Sequence, residues 1–371
     1  MKRKLLIAMM IVLMLCTGLL FAHEEKLRFR PFQLSFGYPL GTNGLNAFQY
    51  TNGFSFNMLY GMNGGLDGVE IGSVFNYIHH NANGVQIAGV FNMVRQQSNG
   101  IFISGATNLH LSSVKGASIS GALNLSAGHS DGLFIAGGTN IHLRTMDGVS
   151  IAGGLNITFG DAEGFTVAPV NLFFKEYSGV QIGVVNYVGA LDGLQIGVVN
   201  YVGKDIDALP IGLISVVKDG YYELEFTSNE LATLNASYKM GVEKFYNTFN
   251  VGYSKYQDRP IFRYGIGAGT SRPVGYKQSV SIEINSDQII NSWKWNTGLS
   301  LLSKLSLDYR LRLGEKFALV AGLSYNALVT SEKVDGEYGT IPIPKTVYEK
   351  EWTSSKMFMW FGFKAGFSYQ I

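Results

Sequence analysis

The chain has 371 residues, including 46 glycines, 20 tyrosines and 24 phenylalanines, and only 15% of its residues are charged. Its 29 Lys and Arg nearly balance 27 Asp and Glu, which excludes the strongly basic surface that a nucleic-acid partner needs. Cys16 is the only cysteine, so no disulfide can form within the chain. This glycine-rich, aromatic and charge-poor mixture is unusual for a soluble domain.

Residues 1–22 have the pattern of a secretory signal peptide. Three basic residues at positions 2–4 precede the apolar run Leu5–Leu20, and Ala22 supplies a small residue at the cleavage position. The pattern predicts export of the mature chain. Because Cys16 lies inside this segment, the mature chain is expected to contain no thiol.

Residues 68–217 consist of nine tandem copies of one unit, first 16 residues long and later 15 and 14. Each unit opens with a glycine, continues with alternating apolar residues and carries an asparagine in its second half. A period this short has room for one or two strands per unit. The opening glycines are Gly68, Gly84, Gly100, Gly116, Gly132, Gly148, Gly164, Gly179 and Gly193, and the asparagines, interpreted as structural, are Asn76, Asn92, Asn108, Asn124, Asn140, Asn156, Asn171, Asn186 and Asn200.

Two all-β architectures fit the units. In the first, each unit is one spanning strand, because about eleven residues of alternation are followed by a short polar turn. Continued through the C-terminal strands, this predicts an antiparallel outer-membrane β-barrel of about twenty strands that covers residues 23–371.

The alternative is a repeat β-solenoid followed by a smaller C-terminal β-barrel. In an antiparallel barrel, successive turns lie at opposite ends, and the two ends differ chemically. The turns of these units do not alternate between two types of sequence. The later units lose one residue between Ile and Asn, which a solenoid corner absorbs and a barrel strand does not without a bulge. Pro169 in the middle of a unit also disfavours a central barrel strand.

Residues 221–371 carry no repeat but alternate with a period of two. The predicted strands are Ser292–Leu301, Lys304–Leu313, Phe317–Ala327 and Met357–Ile371, each near the length that crosses a bilayer.

The connections between these strands differ in length. Leu302-Ser303 and Gly314-Glu315 are predicted as short turns, whereas the polar stretch Thr330–Ser355 is predicted as a long extracellular loop. Outer-membrane lipid and the barrel assembly machinery are the partners that such strands imply. Ile371 stands where outer-membrane barrels usually end in Phe.

Charged residues on one face of a predicted strand are the candidates for lining a barrel lumen. Lys304, Asp308, Arg310 and Arg312 alternate with apolar residues along Lys304–Leu313. Rings of charge set the selectivity of pores, but such residues equally pair with charges across a barrel, for example with Glu283.

Residues that point to catalysis or to a cofactor do not stand out. His110 and His142 occupy equivalent places two residues after the repeat asparagine, which would bind a metal only with a third ligand close by. We expect polar side chains of the repeat there, no enzyme activity, no metal and no cofactor.

The repeat resembles a known family at residues 179–186, which read G-V-Q-I-G-V-V-N. Tandem G-x-Q-I-G-x-x-N units are similar to those of the surface-repeat family of Gram-negative outer-membrane proteins. The resemblance implies location at the outer membrane or cell surface, and no defined ligand. The sequence therefore predicts an outer-membrane β-barrel surface protein that acts as a pore or transport channel, or alternatively a structural or adhesive surface-repeat protein with a β-solenoid.

Overall fold

The computed structural model describes residues 27–256, 259–291, 298–334, 336–339, 341 and 343–371, and it is all-β with almost no helix. The chain divides into two compact units, the first ending at Ser120 and the second beginning at Gly121. The predicted signal peptide, residues 1–22, lies outside the described residues.

The first unit is built of short parallel strands. A hairpin-like segment and one 3-10 helix at its N-terminal end are followed by coils that each contain one strand of seven or eight residues and one of four. The elements are β1 Arg28–Gly37, β2 Leu40–Gly41, the helix η1 Gly44–Gln49, β3 Tyr50–Asn63, β4 Gly65–Gly72, β5 Phe75–Ile78, β6 Ala82–Ala88, β7 Phe91–Val94, β8 Ser98–Ser104, β9 Thr107–His110 and β10 Val114–Ser120.

Successive coils of this unit pair in parallel and in register. Gly84 faces Gly100, and Asn92 faces Asn108, each one repeat further along the chain. Adjacent strands of an up-and-down barrel are antiparallel, so the repeats do not form the predicted single barrel of about twenty strands. The alternative prediction, a β-solenoid with one coil per repeat, describes them, and this corrects the first architecture.

The second unit continues the same pattern before a different fold begins. Its coils are also paired in parallel, for example Asn140 with Asn156. The repeat strands are β11 Leu123–Ser126, β12 Ser130–Ala136, β13 Thr139–His142, β14 Met146–Ala152, β15 Leu155–Thr158, β16 Ala162–Val167, β17 Val170–Ile182, β18 Val185–Val202 and β19 Asp205–Val217.

The sequence explains the coil geometry at two positions. The opening glycines have positive φ angles, +118° at Gly148, and a Cβ there would lie 2.2 Å from the carbonyl oxygen of Gly132 in the previous coil. Pro169 lies in the corner between β16 and β17, where no ladder hydrogen bond from its nitrogen is needed.

The C-terminal part of the second unit is a closed antiparallel barrel. Among the described residues, eight strands form it, and pairing of the first with the last closes the sheet. The barrel strands are β20 Tyr221–Asn229, β21 Leu234–Val242, β22 Phe245–Tyr256, β23 Arg259–Gly275, β24 Gln278–Asn291, β25 Ser300–Arg312, β26 Phe317–Thr330 and, after β27 Lys333–Val334, β28 Glu337–Tyr338 and β29 Tyr348–Trp352 in a long loop, β30 Ser355–Gln370.

The two ends of the barrel differ. At one end the strands are joined by short turns, such as Gly314-Glu315 between β25 and β26, which confirms the turn predicted there. The other end carries the long connection between β26 and β30. The turn predicted at Leu302-Ser303 is wrong, because both residues lie inside β25, and the predicted strand Ser292–Leu301 falls mainly on residues 292–297, outside the described residues.

Candidate functional site: the filled interior of the barrel

The barrel wall has an apolar outer face and a polar inner face. On β25, Leu305 and Leu307 are about half exposed, at 49% and 52%, whereas Asp308 and Arg310 are buried. Successive side chains of a strand point to opposite faces. Because the sequence alternates with a period of two, the charged residues in the middle of β25 all point inward. The wall of this strand is thus apolar outside and polar inside.

Lys239 is the central cation of the interior. Its Nζ donates to Glu225 Oε2 at 2.5 Å and to Glu283 Oε1 at 2.6 Å, and all three side chains are buried. Tyr246 donates its hydroxyl to the same Glu283 oxygen at 2.9 Å. Two carboxylates and a phenol therefore surround one ammonium group, which compensates the charges that burial removes from water.

Two further cations extend this network across the barrel. Lys364 Nζ lies 2.7 Å from Glu225 Oε1 and 2.9 Å from Asp308 Oδ2. Arg310 Nη2 lies 2.9 Å from Glu223 Oε1. The charges come from five different strands, so they fix the strands in one register as well as filling the space between them.

Of the four residues predicted to line a lumen, Asp308 and Arg310 join this network, and Lys304 shares their inward face on β25. Arg312 shares the same face of β25 but is not part of the buried network. It lies at the short-turn end of the barrel, partly exposed, with Nη2 3.3 Å from Glu243 Oε1.

Glu225 and Lys239, which hold the centre of the network, are not among the residues predicted from the sequence. The signal was present: in β20 the charged Glu223 and Glu225 alternate with Tyr222, Leu224 and Phe226, as the charges of β25 alternate with leucines. The sequence offers Glu283 as a partner for the β25 residues, and the structure pairs it with Lys239 and Lys364.

The interior is closed at the loop end by apolar side chains. Leu302, Phe358 and Trp360 are buried there together with Ile341 from the long loop. The indole Nε1 of Trp360 donates to Glu230 at 3.0 Å. At the opposite end, the cavity beside Arg310 has a volume of about 10 Å³, room for about one water molecule.

The coils enclose a second polar interior, a ladder of amides. In the second unit, Asn140 Nδ2 donates to Asn156 Oδ1 at 3.1 Å and also to the carbonyl of Ile151 at 3.0 Å. The other repeat asparagines are also buried, and each donates to a backbone carbonyl of the next coil: Asn76, Asn92, Asn108, Asn124, Asn156, Asn171, Asn186 and Asn200. Six of them also donate to the asparagine side chain of the next coil: Asn76, Asn92, Asn124, Asn156, Asn171 and Asn186.

Two titratable residues lie inside the first unit's coils. Burial raises the pKa of Glu70, although amide groups from Asn57, Asn63 and Gln86 donate to its carboxylate. Burial also lowers the pKa of His110 to about 3, so this histidine is neutral. Its ring nitrogens lie 2.8 and 3.1 Å from the hydroxyls of Ser98 and Ser118.

His142 occupies the equivalent place in the second unit, with Nδ1 2.9 Å from Ser130 Oγ. Both histidines thus occupy the polar core of a coil. In the part of the chain that the structure describes, no three His, Cys, Asp or Glu residues are grouped to hold a metal ion. Within the same ranges, no helix is long and apolar enough to cross a bilayer.

Comparison of the chain with protein-family models, with curated proteins and with solved structures finds no significant match.

Proposed function

We propose that this chain is a structural outer-membrane surface protein in which the barrel is a lipid-embedded anchor and the repeats form β-solenoid coils. The observation that carries the proposal is the division of the barrel wall. Outward residues such as Leu307 and Phe361, the latter 71% exposed, are apolar, whereas inward residues are charged and paired. The signal-like residues 1–22 and the resemblance of the repeats to the surface-repeat family support the same location.

The filled interior favours an anchor over the pore or transport channel. A conducting barrel needs a continuous aqueous path lined by groups that ions can visit. Here Lys239 and Lys364 are held between carboxylates, and Trp360 and its apolar neighbours lie beyond them. Eight strands also enclose an interior just wide enough for side chains to fill.

The last strand supports assembly by the barrel assembly machinery. β30, the strand that closes the barrel, carries Phe361, Phe363 and Phe367 on its outer face, and all three are exposed. An adhesive role for the long loop or the solenoid belongs to the same structural class. We propose no reaction and no small-molecule cargo.

Planar-bilayer recording of the purified, folded protein tests the anchor against the pore. We expect no stepwise conductance from the wild-type protein. Protease protection of the barrel verifies insertion in the same bilayers. An absence of conductance can then not be attributed to a failure to insert. Regular conductance steps from inserted wild-type protein would instead establish the channel.

A further inference from the structure

The coils of the solenoid are apolar on the outside and polar on the inside. In residues 68–217, all of which the structure describes, the outward strand positions between the opening glycine of a unit and the end of its short strand carry Val, Ile, Leu, Phe, Met, Tyr, Ala or Thr. Charged outward residues such as Lys115 and Asp147 precede that glycine. Ile196 and Phe165 are exposed to 40% and 39%. The inward positions carry the asparagine ladder and small or polar residues. A protein that displays this exterior to water would expose an apolar area far above that of ordinary monomers.

Polar residues on the outside are confined to one edge of each coil. In the second unit this polar edge consists of the residues that lead up to the opening glycine of each repeat, with Asp147, Asp161, Glu163, Lys175 and Asp192. The opposite edge, called here the apolar corner, joins the long strand to the short one. Its exposed residues in the last coils are Val184, Val198 and Leu213.

The apolar zone is as deep as one leaflet of a bilayer. In one coil, Leu194, Ile196 and Val198 lead from the polar edge to the apolar corner, and four steps of about 3.3 Å give roughly 13 Å. The hydrocarbon core of a bilayer is about 30 Å thick, so one leaflet contributes about 15 Å. The zone is too shallow to span the core. Because neighbouring coils pair their backbone groups, the two faces also satisfy the requirement that lipid imposes on a main chain.

The last coil lies against the outer wall of the barrel. Met240 and Val242 point outward on β21 but are buried, whereas Leu234, on the same face at the far end of β21, is 57% exposed. Val242 packs with Val202 and Val217 of the coils. β19 is the terminal strand of the stack, and its unpaired edge faces this wall. The axis of the coil stack therefore extends laterally from the barrel.

Two polar contacts define the position of this coil along the barrel axis. Asp207, at the polar edge, forms an ion pair with Lys244 in a short turn of the barrel. Gly212, at the apolar corner, accepts a 2.7 Å hydrogen bond from Asn247 Nδ2, three residues further into the wall. The polar edge therefore lies level with the short turns, and the apolar corner lies nearer the middle of the barrel.

We infer that the coils of residues 121–217 lie within the membrane leaflet on the short-turn side of the barrel. Their two faces and the apolar corner contact phospholipid acyl chains, and the polar edge lies among the headgroups. The inference rests on the proposed membrane anchor. In an outer-membrane barrel the short turns are periplasmic, so the leaflet is the periplasmic one.

Site-directed spin labelling of the full-length protein tests this placement. Single cysteines replace Asp192, Leu194, Ile196 and Val198 of one coil and Leu307 of the barrel wall, in a Cys16→Ser background. Each is labelled with a nitroxide in vesicles of phosphatidylethanolamine and phosphatidylglycerol. Power saturation then compares accessibility to oxygen, which concentrates in the hydrocarbon, with accessibility to a water-soluble nickel chelate.

We expect the chelate to reach the label at position 192 and oxygen to dominate increasingly from 194 to 196 to 198, with 307 also in lipid. Chelate access at 194, 196 and 198 with 307 still in lipid would overturn the inference and leave the anchor intact. Chelate access at 307 as well would overturn both. Spin–spin broadening at 196 that unlabelled protein dilutes away would show that a second copy covers the face, which also overturns the inference.

Discussion

Asn92 Nδ2 donates a 3.0 Å hydrogen bond to Oδ1 of Asn108, the residue at the same place one repeat further along the chain. The same nitrogen lies 2.8 Å from the carbonyl oxygen of Ile103 in that next coil. One side chain thus connects two coils twice. This relationship requires neighbouring repeats to run in parallel and in register, which no antiparallel arrangement of the repeats provides.

Cysteines at these two positions should form a disulfide. In a Cys16→Ser background, Asn92→Cys with Asn108→Cys places the two Cα atoms at the inter-strand spacing of about 4.8 Å, within the usual range of about 4.4–6.8 Å for a disulfide. The control pair, Val94→Cys with Ile101→Cys, would face each other in an antiparallel hairpin but points to opposite sides of the coil wall here. Oxidation followed by mass spectrometry should find the first bond and not the second; the reverse result would contradict the solenoid.

Replacement of a repeat glycine should destabilise the coil stack. Gly148→Ala forces a side chain into a positive-φ position and toward the carbonyl of Gly132. We expect a loss of about 1–3 kcal/mol, the range for strained backbone positions. Gly314→Ala, in a barrel turn with open space around it, is the matched control and should change little. Equal unfolding midpoints in denaturant for the two variants would contradict the close approach of Gly148 to the carbonyl oxygen of Gly132.

Glu70→Gln should remove a pH dependence of stability. Burial raises the pKa of Glu70 in the folded state, so folding favours its protonated form. Its contribution is fully present below the unfolded pKa of about 4.3 and is lost as pH rises from there through the folded pKa. Above that range the glutamine variant should be the more stable by on the order of 1 kcal/mol, with Gln86 reoriented to accept from the new amide.

Thermal unfolding followed by circular dichroism at a series of pH values measures this effect. Glu163→Gln, at the exposed polar edge, is the control and should leave the profile of the wild-type protein unchanged. A Glu70→Gln variant that is less stable than wild type at neutral pH would mean that the surrounding amides require the charged carboxylate.

Leu307→Arg should impair folding into lipid. An arginine on the outer face near the bilayer midplane costs roughly 2–4 kcal/mol. Tyr276→Arg, in a short turn and 97% exposed, should fold as the wild-type protein does. The folded fraction in vesicles is measured by the faster migration of unheated barrel on a gel. Equal folded fractions for the two arginine variants would contradict a lipid-facing position for Leu307.

The sequence predicted the elements of the fold better than their arrangement. Alternation identified the outer and inner faces of β25, and Pro169 and the shortened units correctly favoured a solenoid. The pairing partner of a strand is not encoded in its own alternation, since Asn92 is on the small, polar face in either architecture. The hydrogen bond from Asn92 to Asn108 distinguishes the solenoid from the barrel, and it depends on how two repeats pair with each other.

The interior network was only partly predictable for a similar reason. Asp308 and Arg310 could be placed on an inward face from β25 alone. Their partners lie on strands far away in sequence, so the closure of the barrel had to be known before Glu225 could be matched with Lys239 and Lys364. Arg312 follows the same alternation, but the strand ends near it, and solvent at the short turns replaces a buried partner.

Separation of the membranes of cells that express the chain, by density gradient and carbonate extraction, tests the membrane anchor most directly. We expect the protein in the outer-membrane fraction, retained after carbonate treatment, because the outward faces of the barrel strands carry residues such as Leu307 and Phe363. Release of folded protein into the soluble periplasmic extract would contradict the anchor.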